Sequence, residues 1–97
     1  MTTPPDAIRL SDQDNVAVAV HDIAAGSAVV IGETRLTACN AVPLGHKISL
    51  QPIRAGEKIL KFGVPVGSAT ADIPAGAHVH MHNVRSDYLN NREEHWE

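Results

Sequence analysis

The segment Ile23-Ala-Ala-Gly26-Ser-Ala-Val29 places a glycine three residues after one aliphatic side chain and three residues before another. The same spacing recurs in Val42-Pro-Leu-Gly45-His-Lys-Ile48, Ile53-Arg-Ala-Gly56-Glu-Lys-Ile59 and Ile73-Pro-Ala-Gly76-Ala-His-Val79. Glycine readily adopts the positive φ that tight turns require, and proline presets φ beside it. Each segment therefore predicts the end of one strand, a turn and the start of the next strand.

Short runs with strand character lie between these turns, because β-branched residues alternate with other types in them. The runs are Val16 to Val20, Val29 to Ala38, Ile48 to Leu50, Val64 to Val66 and Val79 to Asn83, whereas Glu57 to Phe62 fits either a strand or a helical turn. We expect an all-β fold in which residues 15–84 form one compact domain. Residues 1–14 are expected to be a flexible arm and residues 85–97 a polar tail, whose Trp96 either packs on the domain or awaits a partner.

Composition and charge exclude several classes of protein. The 97 residues suffice for one domain, and 43% of them are hydrophobic, with one Phe, one Tyr and one Trp. The net charge of −3 does not favour nucleic-acid binding. No apolar run approaches the ~20 residues of a membrane span, and the N-terminus lacks a signal-peptide core. The lone Cys39 fits a reducing compartment and is expected to be a buried small hydrophobe, so we expect a cytoplasmic protein.

Three of the six histidines alternate near the end of the chain, at His78, His80 and His82. Alternation on a strand would put their imidazoles on one face, where neighbours lie ~6.6 Å apart and the outer pair ~13 Å apart. A straight strand could thus offer two imidazoles to one metal ion, and a bend would be needed for all three. The alternative is a row of solvated or hydrogen-bonded histidines without a metal.

A second candidate site is the turn that contains His46 and Lys47. A lysine can bind the carboxylate of an acidic substrate, and a neighbouring histidine can transfer a proton. The alternative is an ordinary solvated loop without a binding role. His21 and Asp22 are adjacent and would point to opposite faces of a strand, so a functional pair is not favoured there.

Together these motifs resemble the N-terminal SAF domain of the altronate and galactarate dehydratase (UxaA) family. The resemblance rests on Asp14-Asn15-Val16-Ala17-Val18-Ala19, Val42 to Leu50, Ile53 to Glu57, Ile59 to Gly63, Val66 to Ile73 and Gly76 to Asn83. It implies a β-clip fold and a hydro-lyase reaction, in which a sugar acid loses water to give a 2-keto-3-deoxy acid. It also implies a divalent metal, Fe²⁺ or Mn²⁺, for which His78, His80 and His82 are the candidate ligands, beside a catalytic His46 and a substrate-binding Lys47.

The resemblance further implies a partner, because family members often fuse this domain to a much larger catalytic domain. We therefore expect a small subunit that is inactive alone and acts with a large catalytic subunit on a sugar acid. Assembly into a homo-oligomer stays open, and so does the alternative that the sequence is a truncated piece of a longer protein. Two alternatives stay open. One is the small subunit of sulfolactate sulfo-lyase, which eliminates sulfite instead of water, and the other is a noncatalytic SAF-type binding module.

Overall fold

A computed structural model describes residues 4–87 of the chain. Nine short strands follow one another in this part: β1 (Ala7–Ile8), β2 (Val16–Ala19), β3 (Ala28–Ile31), β4 (Thr34–Thr37), β5 (Lys47–Ser49), β6 (Lys58–Lys61), β7 (Val64–Ala69), β8 (His78–Val79) and β9 (Val84–Arg85). The prediction of an all-β fold is confirmed. The ambiguous segment from Glu57 to Phe62 contains a strand, and none of the described residues form a helix long and apolar enough to cross a membrane.

All strand pairs are antiparallel, and they make three small sheets. The four-stranded sheet has the order β1-β2-β5-β8, β3 and β4 form a hairpin, and the third sheet has the order β6-β7-β9. Because β5 lies between β2 and β8, residues about thirty positions apart become neighbours, and Ile48 pairs with His78. This pairing brings the two histidine-bearing segments to one edge of the fold.

The four glycine segments form turns that connect the strands of this fold. Their glycines all have positive φ, between 83° and 89°, and each donates its N–H to a carbonyl of another strand or strand end. The first aliphatic residues pair across the fold, Ile23 with Val42 and Ile53 with Ile73. The predicted strand–turn–strand units are therefore present, and they associate in two pairs.

Each pair of segments builds its own hydrophobic core. One cluster contains Ile23, Val29, Val42 and Ile48, and the other contains Ile53, Ile59, Ile73 and Val79. These eight side chains are at most 4% exposed, so each core side chain contributes about 1.5–3 kcal/mol of burial free energy. The repeated pattern thus specifies both the turns and the residues that stabilise them.

The N-terminal segment differs from the predicted flexible arm. Ala7 and Ile8 pair with Ala19 and Val18 of β2, and Ala7 is only 1% exposed. The segment lacks a hydrophobic period, and its order comes from tertiary contacts, chiefly those of Asp6, whose carboxylate accepts a hydrogen bond from the N–H of Val30. The first residues of the predicted polar tail contact the domain, since Arg85 of β9 pairs with Ser68 and the carboxylate of Asp87 pairs with the ammonium group of Lys58. The rest of the predicted tail, with Trp96, lies outside the described residues.

Cys39 is exposed, so the prediction of a buried thiol was wrong. The residue follows β4 in a loop, where its N–H donates to the carbonyl of Gly76 and its thiol lies 3.3 Å from the carbonyl of Ala75. The backbone contact, rather than packing of the side chain, fixes its position.

Candidate metal centre

The turn before β5 holds His46 through its backbone. The N–H of His46 donates to the carbonyl of Pro43, and its own carbonyl accepts from the N–H of Ala19. The carboxylate of Asp22 accepts a hydrogen bond of 2.9 Å from the N–H of Leu44, which closes the other side of the turn. The imidazole of His46 is partly buried and therefore projects from a well-fixed backbone.

A turn follows β8, where the sequence predicted a continuing strand. β8 ends at Val79, and the side chain of Asn83 then accepts from the N–H of His80 and donates to the carbonyl of His78, each at 2.9 Å. A backbone hydrogen bond from Asn83 to His80 closes the same turn. Because the chain bends here, His82 folds back on His78, with ring centroids 5.2 Å apart instead of the ~13 Å expected for the outer pair of a straight strand.

Three imidazoles meet where the two turns adjoin: those of His46, His78 and His80. The rings of His46 and His80 stack with centroids 4.1 Å apart, and His78 lies 5.1 Å from His46 and 5.5 Å from His80. Nδ1 of His46 is 2.9 Å from Nε2 of His78. One ligand atom from each of the three residues lies within 4.8 Å of the other two.

Burial and neighbouring positive charge lower the pKa values of two of these imidazoles, those of His78 and His80. Burial lowers the pKa of His78, and the nearby His46, His82, His80 and Lys47 lower it further. The pKa of His80 is lowered by burial first and then by His46, Lys47 and His82. A neutral imidazole is the form that binds a metal ion, so the lowered pKa values of His78 and His80 favour ligation by these two rings.

The donor set and its spacing fit one divalent ion. Nitrogen ligands stand about 2.0–2.1 Å from a zinc-sized ion, so two ligands at right angles are about 3 Å apart. The 2.9 Å between His46 and His78 matches that separation. The residues that would hold the ion are therefore His46, His78 and His80, and imidazole donors suit iron better than manganese, which prefers oxygen ligands.

The arrangement differs in part from the one predicted. His78 and His80 lie together as expected, whereas His82 is exposed and its ring contacts His78 from outside the three-residue group. His46, predicted as a separate proton carrier, belongs to the same group as His78 and His80. No local spacing links His46 to residues more than thirty positions away, because the pairing of β5 with β8 creates their contact.

Two asparagines that support the cluster were not singled out from the sequence. Asn83 shapes the turn after β8, and the side chain of Asn40 accepts a hydrogen bond of 3.1 Å from the N–H of His78. The signal available for Asn83 was its place directly after the last of the alternating histidines, since asparagine favours turns.

Lys47 follows His46 and is partly buried. Burial lowers the pKa of its ammonium group, and the positive charge of Lys61 lowers it further. Lys47 in turn lowers the pKa values of His78 and His80, so its charge lies close to the imidazoles. The site therefore combines three convergent imidazoles with a nearby lysine whose charge is suited to an anionic ligand.

A separate open cavity of about 860 Å³ lies between β1 and the β3–β4 turn. Its lining includes Ile8, Arg9 and Glu33 and contains neither histidine nor lysine. The imidazole cluster is therefore not part of this cavity.

Comparison with known proteins identifies the domain. Residues 5–87 match the altronate/galactarate dehydratase SAF domain. The chain is 44% identical over 80 residues to altronate dehydratase of Escherichia coli, a match that covers 82% of this chain and 16% of the relative. It is 38% identical over 52 residues to the alpha subunit of (2R)-sulfolactate sulfo-lyase from Paracoccus pantotrophus, covering 54% of this chain and 78% of that subunit.

A third relative, galactarate dehydratase (L-threo-forming) of E. coli, is 36% identical over 72 residues, which are 13% of its length. The chain thus spans less than one-fifth of the two dehydratases and most of the sulfo-lyase subunit. The family match covers every strand described above, together with the imidazole cluster and Lys47. The chain belongs to the family of altronate/galactarate dehydratase SAF domains.

Proposed function

We propose that the chain is the small component of a metal-dependent sugar-acid dehydratase, which converts an altronate- or galactarate-type acid to a 2-keto-3-deoxy acid. The observation that carries the proposal is the convergence of His46, His78 and His80 within 4.8 Å. A binding module that only holds a partner has no need of three imidazoles that converge at one point. The names of the two matched dehydratases supply the reaction class.

Dehydration next to a carboxylate is slow because the α-proton is weakly acidic and hydroxide is a poor leaving group. A bound divalent ion would act as a Lewis acid toward the oxygens of the substrate. The three imidazoles would hold that ion, and Lys47 would attract and orient the substrate carboxylate as a point charge. We assign His46 to the ligand group rather than to separate proton transfer, because its Nδ1 points at Nε2 of His78.

A large catalytic subunit is the proposed partner. Three imidazoles would leave a coordination position of a divalent ion for the substrate. The matched dehydratases are several times longer than the matched region, so their remaining residues are available to supply an acid–base group and to exclude water. The isolated chain is accordingly expected to be inactive.

The sulfo-lyase reaction is the second candidate. The chain matches 78% of a protein that is by name a subunit of (2R)-sulfolactate sulfo-lyase. Elimination of sulfite also removes the α-proton beside a carboxylate, but the bond that breaks at the β-carbon is C–S and sulfite leaves instead of hydroxide. The same imidazoles and lysine would serve this reaction. The substrate test below separates the two candidates.

The test is an assay of the chain with and without a large subunit of this family, using Fe²⁺ or Mn²⁺ and altronate, galactarate or (2R)-sulfolactate. We expect release of a 2-keto-3-deoxy acid only when both components are present. Release of sulfite from sulfolactate, with no turnover of either sugar acid, would replace the dehydratase assignment by the second candidate. Turnover by the chain alone would contradict the two-component proposal.

Variants of the assembled complex test the residue roles. Lys47→Ala should mainly raise KM, since it removes binding shared by ground and transition states. His46→Asn should mainly lower kcat, by about tenfold or more, because it removes one of the three proposed metal ligands. His21→Asn is the matched control, because His21 is exposed and lies outside the imidazole cluster. An unchanged kcat for His46→Asn, with thermal stability preserved, would remove His46 from the site.

A further inference from the structure

The outer edge of β8 is bound by side chains instead of by another strand. β8 is the last strand in the order β1-β2-β5-β8, and the edge strand of a sheet presents unpaired N–H and C=O groups. The N–H of His78 donates to the side chain of Asn40 at 3.1 Å, and the carbonyl of His78 accepts from the side chain of Asn83 at 2.9 Å. Both backbone polar groups of this proposed metal ligand are therefore held by side-chain amides.

Asn83 also joins the backbones of two proposed ligands. Its Nδ2 donates to the carbonyl of His78 and its Oδ1 accepts from the N–H of His80, both at 2.9 Å. The N–H of Asn83 donates to the carbonyl of His80 at 3.0 Å, which closes the turn. One side chain thus fixes the backbone of His80 relative to that of His78, in the arrangement that places both rings beside the ring of His46.

Asn40 is brought to His78 by the loop that follows β4. The N–H of Cys39 donates to the carbonyl of Gly76 at 2.8 Å, so the loop contacts the chain just before β8. The approach is close, because a Cβ added at Gly76 would lie 2.2 Å from the carbonyl oxygen of Thr37. Asn40 itself is exposed, so backbone contacts of its loop, rather than burial of its side chain, set its position.

Asn15 makes the same kind of bridge in another part of the fold. Its Oδ1 accepts from the N–H of Leu60 at 2.8 Å, and its Nδ2 donates to the carbonyl of Lys58 at 2.9 Å. Asn15 and Asn83 are both partly buried, but the residues that Asn15 contacts do not belong to the imidazole cluster. Asn15 therefore measures what such a bridge contributes to stability alone.

We propose that Asn40 and Asn83 are positioning residues of the metal centre, which hold His78 and His80 in the ligating arrangement before the ion binds. This inference rests on the proposed function, because it takes the imidazole cluster to be a metal site. Ligands that are already fixed in the free protein lose less conformational freedom on binding, so the affinity for the ion rises. Neither asparagine contacts the ion, and each acts through the backbone of a ligand.

The experiment compares Asn83→Ala with Asn15→Ala in the full chain. Co²⁺ is titrated without partner or substrate and followed by its ligand-field absorption, and the metal-free proteins are unfolded in urea. We expect both variants to lower the urea midpoint to a similar extent, because each loses one donor and one acceptor to the backbone. Only Asn83→Ala should weaken Co²⁺ binding, by about tenfold. Equal Co²⁺ affinities of the two variants would overturn the role of Asn83.

Two variants of Asn40 test the second residue, and they serve even if Asn83→Ala fails to fold, since Asn40 is exposed. Asn40 offers His78 only an acceptor, which an aspartate retains and an alanine lacks. We expect Asn40→Ala to weaken Co²⁺ binding by about threefold or more, and Asn40→Asp to keep at least the wild-type affinity. Full affinity in Asn40→Ala, or a loss in Asn40→Asp as large as in Asn40→Ala, would overturn the role of Asn40.

Failure of this inference is distinguishable from failure of the proposed function, because the titration measures no turnover. A wild-type chain that binds Co²⁺ with an affinity that no asparagine variant changes would overturn the positioning role and keep the metal centre. Weaker binding by Asn40→Ala and Asn83→Ala, in a protein whose assembled complex performs no elimination, would overturn the reaction and keep the positioning role. A wild-type chain that does not bind Co²⁺ would overturn the metal centre and the positioning role together.

Discussion

Substitutions at Gly56 and Gly76 measure two constraints on the fold separately, a positive φ and a close contact with a neighbouring backbone. Both adopt nearly the same backbone conformation, with φ of 89° and 87°. A Cβ added at Gly56 meets nothing within 4 Å, whereas one added at Gly76 would lie 2.2 Å from the carbonyl oxygen of Thr37. Alanine at Gly56 therefore carries only the cost of a left-handed conformation, about 1–2 kcal/mol.

Alanine at Gly76 carries that conformational cost and a clash with the backbone as well. Relieving the clash requires β4 or the turn to move, and overpacking of this kind costs about 1–3 kcal/mol more. We therefore expect Gly76→Ala to lower the free energy of unfolding by about 2–5 kcal/mol, against about 1–2 kcal/mol for Gly56→Ala.

Urea denaturation followed by circular dichroism measures the difference between the two variants. With a slope of about 1 kcal/mol per M urea, the midpoint should fall by about 1–2 M for Gly56→Ala and by about 2–5 M for Gly76→Ala. Equal losses for the two variants would refute the reasoning, because they would show that the close approach to Thr37 is not a constraint on the turn before His78.

Two further predictions concern groups whose pKa values the fold shifts. Burial raises the pKa of Asp14, but hydrogen bonds from the N–H groups of Gly63 and Phe62 outweigh this effect and leave the pKa below its ordinary value. The charged carboxylate of Asp14 therefore stabilises the fold above pH ~4, and this contribution is lost as the pH falls through the lowered pKa. Asp14→Asn should lower the free energy of unfolding by about 1.5–3 kcal/mol at pH 7 and by progressively less in acid. A loss that does not depend on pH in urea denaturation would show that the negative charge of Asp14 is not what stabilises the turn. The pKa of His21 is raised by the hydrogen bond of its ring to the carbonyl of Asp22 and then by Asp6. The protonated imidazole therefore contributes fully to folding stability below pH ~6.5, and this contribution disappears as the pH rises through the raised pKa. His21→Gln should thus lower the melting temperature at pH 6 more than at pH 9, and the reverse order would contradict the assignment.

The fold was largely predictable because the repeated segments carry their own physical requirements. A glycine that needs positive φ, between two aliphatic residues that need burial, specifies turn and core together. The N-terminal segment was not predictable in this way, since Ala7 is buried by contacts with β2 and Asp6 is held by a backbone group of β3. The spacing of residue types in the first fourteen residues does not predict those contacts.

The site was predictable in its residue types and less so in its arrangement. The alternation of His78, His80 and His82 indicated imidazoles in one place, but a local pattern cannot show that the strand ends at Val79. The side chain of Asn83 bends the chain there, and the β5–β8 pairing replaces His82 by His46 in the group of three. Long-range pairing of strands decides which histidines meet.

The most direct test of the central claim counts the imidazoles on a metal ion bound to the full chain. Co²⁺ is the probe, because it accepts imidazole ligands and shifts the proton signals of each ligating ring far outside the normal NMR range. We predict one Co²⁺ per chain and three shifted, exchangeable ring N–H signals, from His46, His78 and His80. His78→Ala should abolish one of these signals and weaken binding by about tenfold or more, while His21→Ala should change neither. Absence of shifted imidazole signals at saturating Co²⁺, or a full set of three in the His78→Ala protein, would contradict the claim that this cluster is a metal centre.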